Sequence, residues 1–143
     1  MFKDILLPID LEEDDGTARK ALNAAVEYCR DHGAGLHVLT VVPGFGMSII
    51  SQYFPEDAEQ KILNDAAERL RAFIAAHVPR DITAQAIVAS GTVYEEILET
   101  ARKIGCDLIV MCAHRPDLKD YLLGPNAARV VRHADCSVLV VRE

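Results

Sequence analysis

Ile5-Leu6-Leu7-Pro8-Ile9 is a short, unbroken apolar run. Hydrophobicity at every position marks a strand covered on both sides, as in a parallel sheet wrapped by helices. Leu108-Ile109-Val110-Met111 reads the same way. Between them the chain alternates helical and strand periods. Ala18, Ala21, Leu22, Ala25, Val26 and Cys29 mark one helical face that stops near Gly33, a carboxyl cap. Leu36 to Val42 is a second strand, and Pro43-Gly44-Phe45-Gly46 opens a loop to about Pro55. Glu56 to His77 repeats Ile62, Ala66, Leu70, Phe73 and Ile74 at helical spacing. Ile82 to Val88 alternates as a strand with one half-buried face. Val93, Ile97, Leu98, Ala101 and Ile104 form a third helix. A polar loop from His114 to about Leu123 precedes a last helix through Ala127, Val130, Val131 and Ala134. Ser137-Val138-Leu139-Val140-Val141 closes the pattern.

Strands alternating with helices imply an α/β fold: a doubly wound, five-stranded parallel sheet with helices on both faces. Right-handed crossovers leave few topologies. The two most continuous strands, the first and fourth, belong at the centre, and the half-polar third belongs at an edge. The order 3-2-1-4-5 follows. No linker or repeat interrupts residues 1–143, which read as one domain. Ligands in such sheets bind beyond the carboxyl ends of the strands at the switch point. Topology alone therefore sets Pro8-Ile9-Asp10 against Cys112-Ala113-His114-Arg115, closed by the helix amino terminus near Gly124.

Composition narrows the function. Twenty-two acidic against 15 basic residues give a net charge of −7, with no basic cluster to hold a nucleic-acid backbone. No apolar run approaches the ~18 residues of a bilayer span, and Met1-Phe2-Lys3-Asp4 is not a cleavable leader. Cys29, Cys106, Cys112 and Cys136 include no Cys-x-x-Cys pair and read as four reduced thiols of a cytoplasmic protein. Glu12-Glu13-Asp14-Asp15 lacks the calcium-loop pattern and reads as a solvated loop.

The switch-point residues suit an anionic ligand. A helix amino terminus presents unpaired N–H groups and partial positive charge to a phosphate, and Gly124 lets the backbone approach. His114 and Arg115 add donors, and Asp10 can accept from a ribose hydroxyl or hold magnesium. Asp10 can equally begin a turn, and His114 and Arg115 can be ordinary loop residues. Gly-x-Gly-x-x-Gly, the Gly-Lys-Ser/Thr phosphate loop and Gly-x-Ser-x-Gly are all missing. A phospho-receiver needs an Asp after the third strand, where Val88-Ala89-Ser90 stands. Asp10 and His114 alone are not a catalytic set.

Ile5 to Asp10, Gly91-Thr92-Val93-Tyr94-Glu95-Glu96-Ile97 and Cys106 to Met111 resemble the universal stress protein family. So do His114-Arg115-Pro116 with Tyr121-Leu122-Leu123-Gly124, and the stretch from Asn126 through Ala134 to Val141. The resemblance spans essentially the whole chain, is weakest from Pro43 to Arg80, and is most specific at the carboxyl end. It implies the same 3-2-1-4-5 fold, dimerisation, and a stress-response role. One large class of the family binds ATP through Gly-x2-Gly-x9-Gly-Ser/Thr. Carried onto this chain those positions are Cys112, Arg115 and Gly124, with eight residues between the last two. The shortened loop with His-Arg-Pro resembles a branch whose members still bind ATP. Family position sets Pro8, Asp10 and Val41 around adenine and ribose, and Ala113, His114, Arg115, Gly124 and Asn126 at the phosphates. Pro125 stands where that branch carries a Ser, and it has neither hydroxyl nor N–H.

The resemblance thus implies a dimeric cytosolic regulatory module that binds ATP or a related adenine nucleotide, with magnesium accompanying it, weakened by Pro125. A nucleotide-free dimeric interaction module is the alternative, and slow hydrolysis through Asp10 and a metal ion is a third reading. Val138-Leu139-Val140-Val141 would be an apolar edge without a protecting charge until Arg142. Antiparallel pairing with a second copy would cover it. The protein partner of such a module is not legible in the sequence.

Overall fold

A computed structural model describes residues 1–12, 16–43, 56–113 and 124–142. Among them, strands and helices alternate as β1 (Asp4–Pro8), α1 (Thr17–His32), β2 (Gly35–Pro43), α2 (Glu56–His77), β3 (Ala84–Gly91), α3 (Val93–Ile104), β4 (Leu108–Cys112), α4 (Gly124–His133) and β5 (Ser137–Val141). The strands form one parallel sheet of order β3-β2-β1-β4-β5, as the apolar runs require. The central strands are the most completely buried, because helices cover both of their faces.

Alternation along each strand sorts the core into two layers. Ile5 and Leu7 of β1, with Ile9 just beyond it, pack with Leu22 and Val26 of α1 and Leu70 of α2. Leu6, one step out of phase, packs with Ile97 and Leu98 of α3 and Val130 of α4. Helix α1 ends as its glycine signals: Gly33 adopts φ 66°, and the Ala34 N–H returns to the Cys29 carbonyl at 3.0 Å.

Several boundaries and faces depart from the sequence reading. Strand β3 starts two residues after Ile82 and runs three past Val88, because β2 pairs with it in register from Leu36↔Ala84 to Pro43↔Gly91. The half-buried face expected for this strand is observed: Thr83 and Gln85 are exposed, Ile87 and Ala89 are half-buried against the α3–α4 layer, and Ala86 and Val88 meet α1–α2. Ile62 and Val131 were expected on buried faces but are exposed at 37% and 45%. Ala127 and Val130 carry the seam of α4, and Val131 lies a further 100° round the helix. The loops expected at 43–55 and 114–123 lie outside the described residues beyond Pro43. None of the four cysteines is in a disulfide. No described helix is long and apolar enough to cross a membrane.

Candidate functional site at the carboxyl edge of the sheet

Pro8 shapes the switch point. Backbone groups of successive strand residues point to opposite neighbours. The Lys3 carbonyl accepts from Gly35 at 2.9 Å and the Ile9 N–H donates to Leu39 at 2.8 Å, so odd-numbered positions of β1 face β2. The Asp4 carbonyl accepts from the Asp107 N–H at 3.0 Å, so even-numbered positions face β4. Pro8 is even-numbered and has no N–H. The donor that would tie the carboxyl ends of β1 and β4 is therefore absent. Registered pairs between these strands are Ile5↔Leu108 and Leu6↔Ile109, whereas the β1–β2 register continues to Pro8↔Leu39. The sheet is left unlaced at its switch point.

The residues expected there fall into place unevenly. Pro8 is half-buried at the strand end, but Ile9 is only 7% exposed and its side chain belongs to the α1–α2 core. Asp10 is exposed, and its Oδ1 accepts the Glu12 N–H at 2.9 Å, which makes it a turn-former as well as a free acceptor edge. Val41 is half-buried against the α3–α4 layer. Cys112 packs against the opposite layer, so the sheet separates it from Val41. Ala113 is buried and its N–H donates to the Val141 carbonyl at 2.8 Å, which continues the β4–β5 ladder past Cys112. Gly124 and Pro125 are the first two residues of α4, and Asn126 follows half-buried in its first turn. His114 and Arg115 lie outside the described residues.

Arg69 is a member the sequence reading missed. From α2 its Nη1 meets Glu12 Oε1 at 2.7 Å and its Nη2 donates to the Leu11 carbonyl at 3.2 Å. It clasps the turn that presents Asp10. The hydrogen bond that Arg69 donates to the Glu12 carboxylate raises the guanidinium's pKa, and Asp65 and Asp10 add to that field. No local pattern could reveal it, because the partners lie 57 residues apart.

Together these parts offer a carboxylate on a braced turn, an unlaced strand pair and a helix amino terminus. The set fits a ligand with hydroxyl groups at one end and negative charge at the other. Among the described residues no three His, Cys, Asp or Glu side chains gather to hold a metal ion.

Comparison with known proteins gives the family and the fold. The profile of the universal stress protein family matches residues 1–142. Universal stress protein G of Escherichia coli O157:H7 is 33% identical over 145 residues, covering 99% of this chain and 100% of its own. Protein MJ0577 of Methanocaldococcus jannaschii has a solved structure 25% identical to the chain, with a TM-score of 0.81, covering 100% of this chain and 97% of that one. A universal stress protein of Archaeoglobus fulgidus, solved in complex with dAMP, shares the fold at 20% identity and a TM-score of 0.59, over 96% of each chain.

Proposed function

The chain belongs to the universal stress protein family, and on that premise we propose that it is a stress-response regulatory module binding an adenine nucleotide at the carboxyl edge of its sheet. The observation that carries this reading is the unlaced β1–β4 end beside Pro8, flanked by Asp10 and the start of α4. A fold neighbour holds dAMP, a ligand of the same class. In this reading Pro8, Asp10 and Val41 border the base and sugar. Ala113, His114, Arg115, Gly124 and Asn126 hold the phosphates, and Cys112 lines the strand end. Pro125 contributes no N–H to an anion, so the phosphates of ATP add little over those of a monophosphate. ATP, with any magnesium it carries, is a regulatory ligand here and Asp10 a binding group.

We assign the working unit as a homodimer through β5. That strand is an edge of the sheet, and Val138, Leu139, Val140 and Val141 are all half-buried rather than fully covered. Free thiols suit a reducing compartment such as the cytosol. Mass spectrometry of small molecules released from freshly purified protein tests the reading: copurifying adenine nucleotide supports it. A blank, together with a dimer in sedimentation, favours the nucleotide-free interaction module instead, for which the absent donor at Pro125 is the argument.

A further inference from the structure

A second site lies at the opposite, amino-terminal edge of the sheet. Cys106 precedes β4 and Cys136 precedes β5, and their sulfurs are 3.9 Å apart. Both line a surface cavity of about 170 Å³ with Leu98, Ile109, Arg102 and Asp135. We propose that Cys106 and Cys136 form a dithiol site that binds one thiophilic monovalent cation of the copper(I) type.

The geometry selects among sulfur chemistries. A disulfide requires the sulfurs to close to about 2.05 Å, a contraction of nearly 2 Å. A linear two-sulfur metal site with bonds of about 2.2–2.3 Å needs them only to part by about 0.5–0.7 Å. Zinc takes four ligands in structural sites, and no three His, Cys, Asp or Glu gather among the described residues. Two thiolates and no further donor suit a soft monovalent ion.

Burial pushes the Cys106 thiol up to about 12, with Cys136, Asp107 and Asp4 adding to it, and burial also raises Cys136. Such thiols are poor nucleophiles and resist oxidation, but a thiophilic cation displaces their protons: Cu⁺ + 2 RSH gives [Cu(SR)₂]⁻ and two H⁺. Arg102, 3.4 Å from Asp135 across the cavity mouth, offsets the resulting negative charge against the carboxylates of Asp135, Asp107 and Asp4.

The test is an anaerobic titration of the intact chain with Cu(I) presented as its bicinchoninate complex. The chain should withdraw one copper and release two protons, and Cys29→Ala should do the same. Cys106→Ser and Cys136→Ser should each abolish the withdrawal. X-ray absorption on the loaded wild type should show two sulfur neighbours alone, a readout independent of how the variants fold. Failure to withdraw copper, withdrawal that survives both Ser variants, or nitrogen or oxygen in the copper shell would overturn the proposal.

Discussion

The backbone N–H of Ile9 donates to the carbonyl of Leu39 at 2.8 Å, one residue past the end of β1. That bond fixes which way every other residue of the strand faces, and it turns Pro8 toward β4. A proline at the end of a central strand withholds one ladder bond at the switch point, where the proposed nucleotide would sit. Pro8→Ala restores the donor. The new bond contributes about 0.5–1.5 kcal/mol, and the lost chain stiffness removes about 0.4–1 kcal/mol. Stability in urea should therefore change by less than about 1 kcal/mol, while the new amide becomes protected from hydrogen exchange and nucleotide binding weakens. A freely exchanging amide at position 8 would show that something other than the missing donor parts the strands.

Arg69→Ala separates bracing from folding. The pair with Glu12 is solvent-exposed, so its loss should leave the melting temperature nearly unchanged. The turn carrying Asp10 loses its clasp, so nucleotide affinity should fall. Calorimetry and a melting curve on the same variant measure both. Unchanged affinity would remove Arg69 from the site.

Gly91 closes β3 at φ 149°, and a Cβ there would stand 2.6 Å from Glu96 Oε1. The carboxylate can swing aside, but the backbone cannot take this conformation with a side chain attached without strain. Gly91→Ala should destabilise the fold by about 1–3 kcal/mol, read from urea unfolding. Gly91→Ala combined with Glu96→Ala should recover little of it, because the backbone term dominates. Full recovery would assign the loss to the clash.

Acid should weaken the fold through Asp107. Burial pushes its carboxyl up, but the backbone N–H groups of Lys3 and Asp4, at 2.9–3.1 Å, outweigh that and hold it below the ordinary value. A carboxyl lowered by folding contributes stability that is complete above its unfolded value, near pH 4. That contribution disappears as the pH falls through the lower folded value. Asp107→Asn should therefore lose less stability than the wild type between neutral pH and pH 3. Equal losses would mean that the three N–H bonds do not favour the charged form.

Much of this architecture was written in the one-dimensional pattern, and the reason is physical. Ile5 to Ile9 and Leu108 to Met111 are apolar at every position because both faces of a central parallel strand are covered, and that rule needs no knowledge of partners. Gly33 announced the end of α1 because few other residues accept its φ. The half-open face of β3 was legible as well, since Thr83 and Gln85 are exposed while Ile87 and Ala89 are half-buried against α3 and α4. Ile62 and Val131 continue helical apolar periods and yet face solvent, since a period fixes only the angle around a helix and not what lies opposite. Topology alone placed Pro8 and Asp10 at the carboxyl edge of the sheet, where the structure has them. Arg69 and the Cys106–Cys136 pair depend on contacts between residues far apart in the chain, which no window of sequence contains.

The most direct test of nucleotide binding is calorimetry of ATP and AMP against the wild type and Pro125→Ser. A hydrogen bond to a charged group contributes about 1.5–3 kcal/mol, or roughly 10- to 150-fold in affinity. Pro125 occupies the first turn of α4, where its fixed φ suits the helix and the missing N–H falls on the ligand. The wild type should bind the two nucleotides almost equally, and the variant should tighten ATP at least about tenfold while leaving AMP unchanged. No heat from either nucleotide at millimolar concentration, in either chain, would contradict the account.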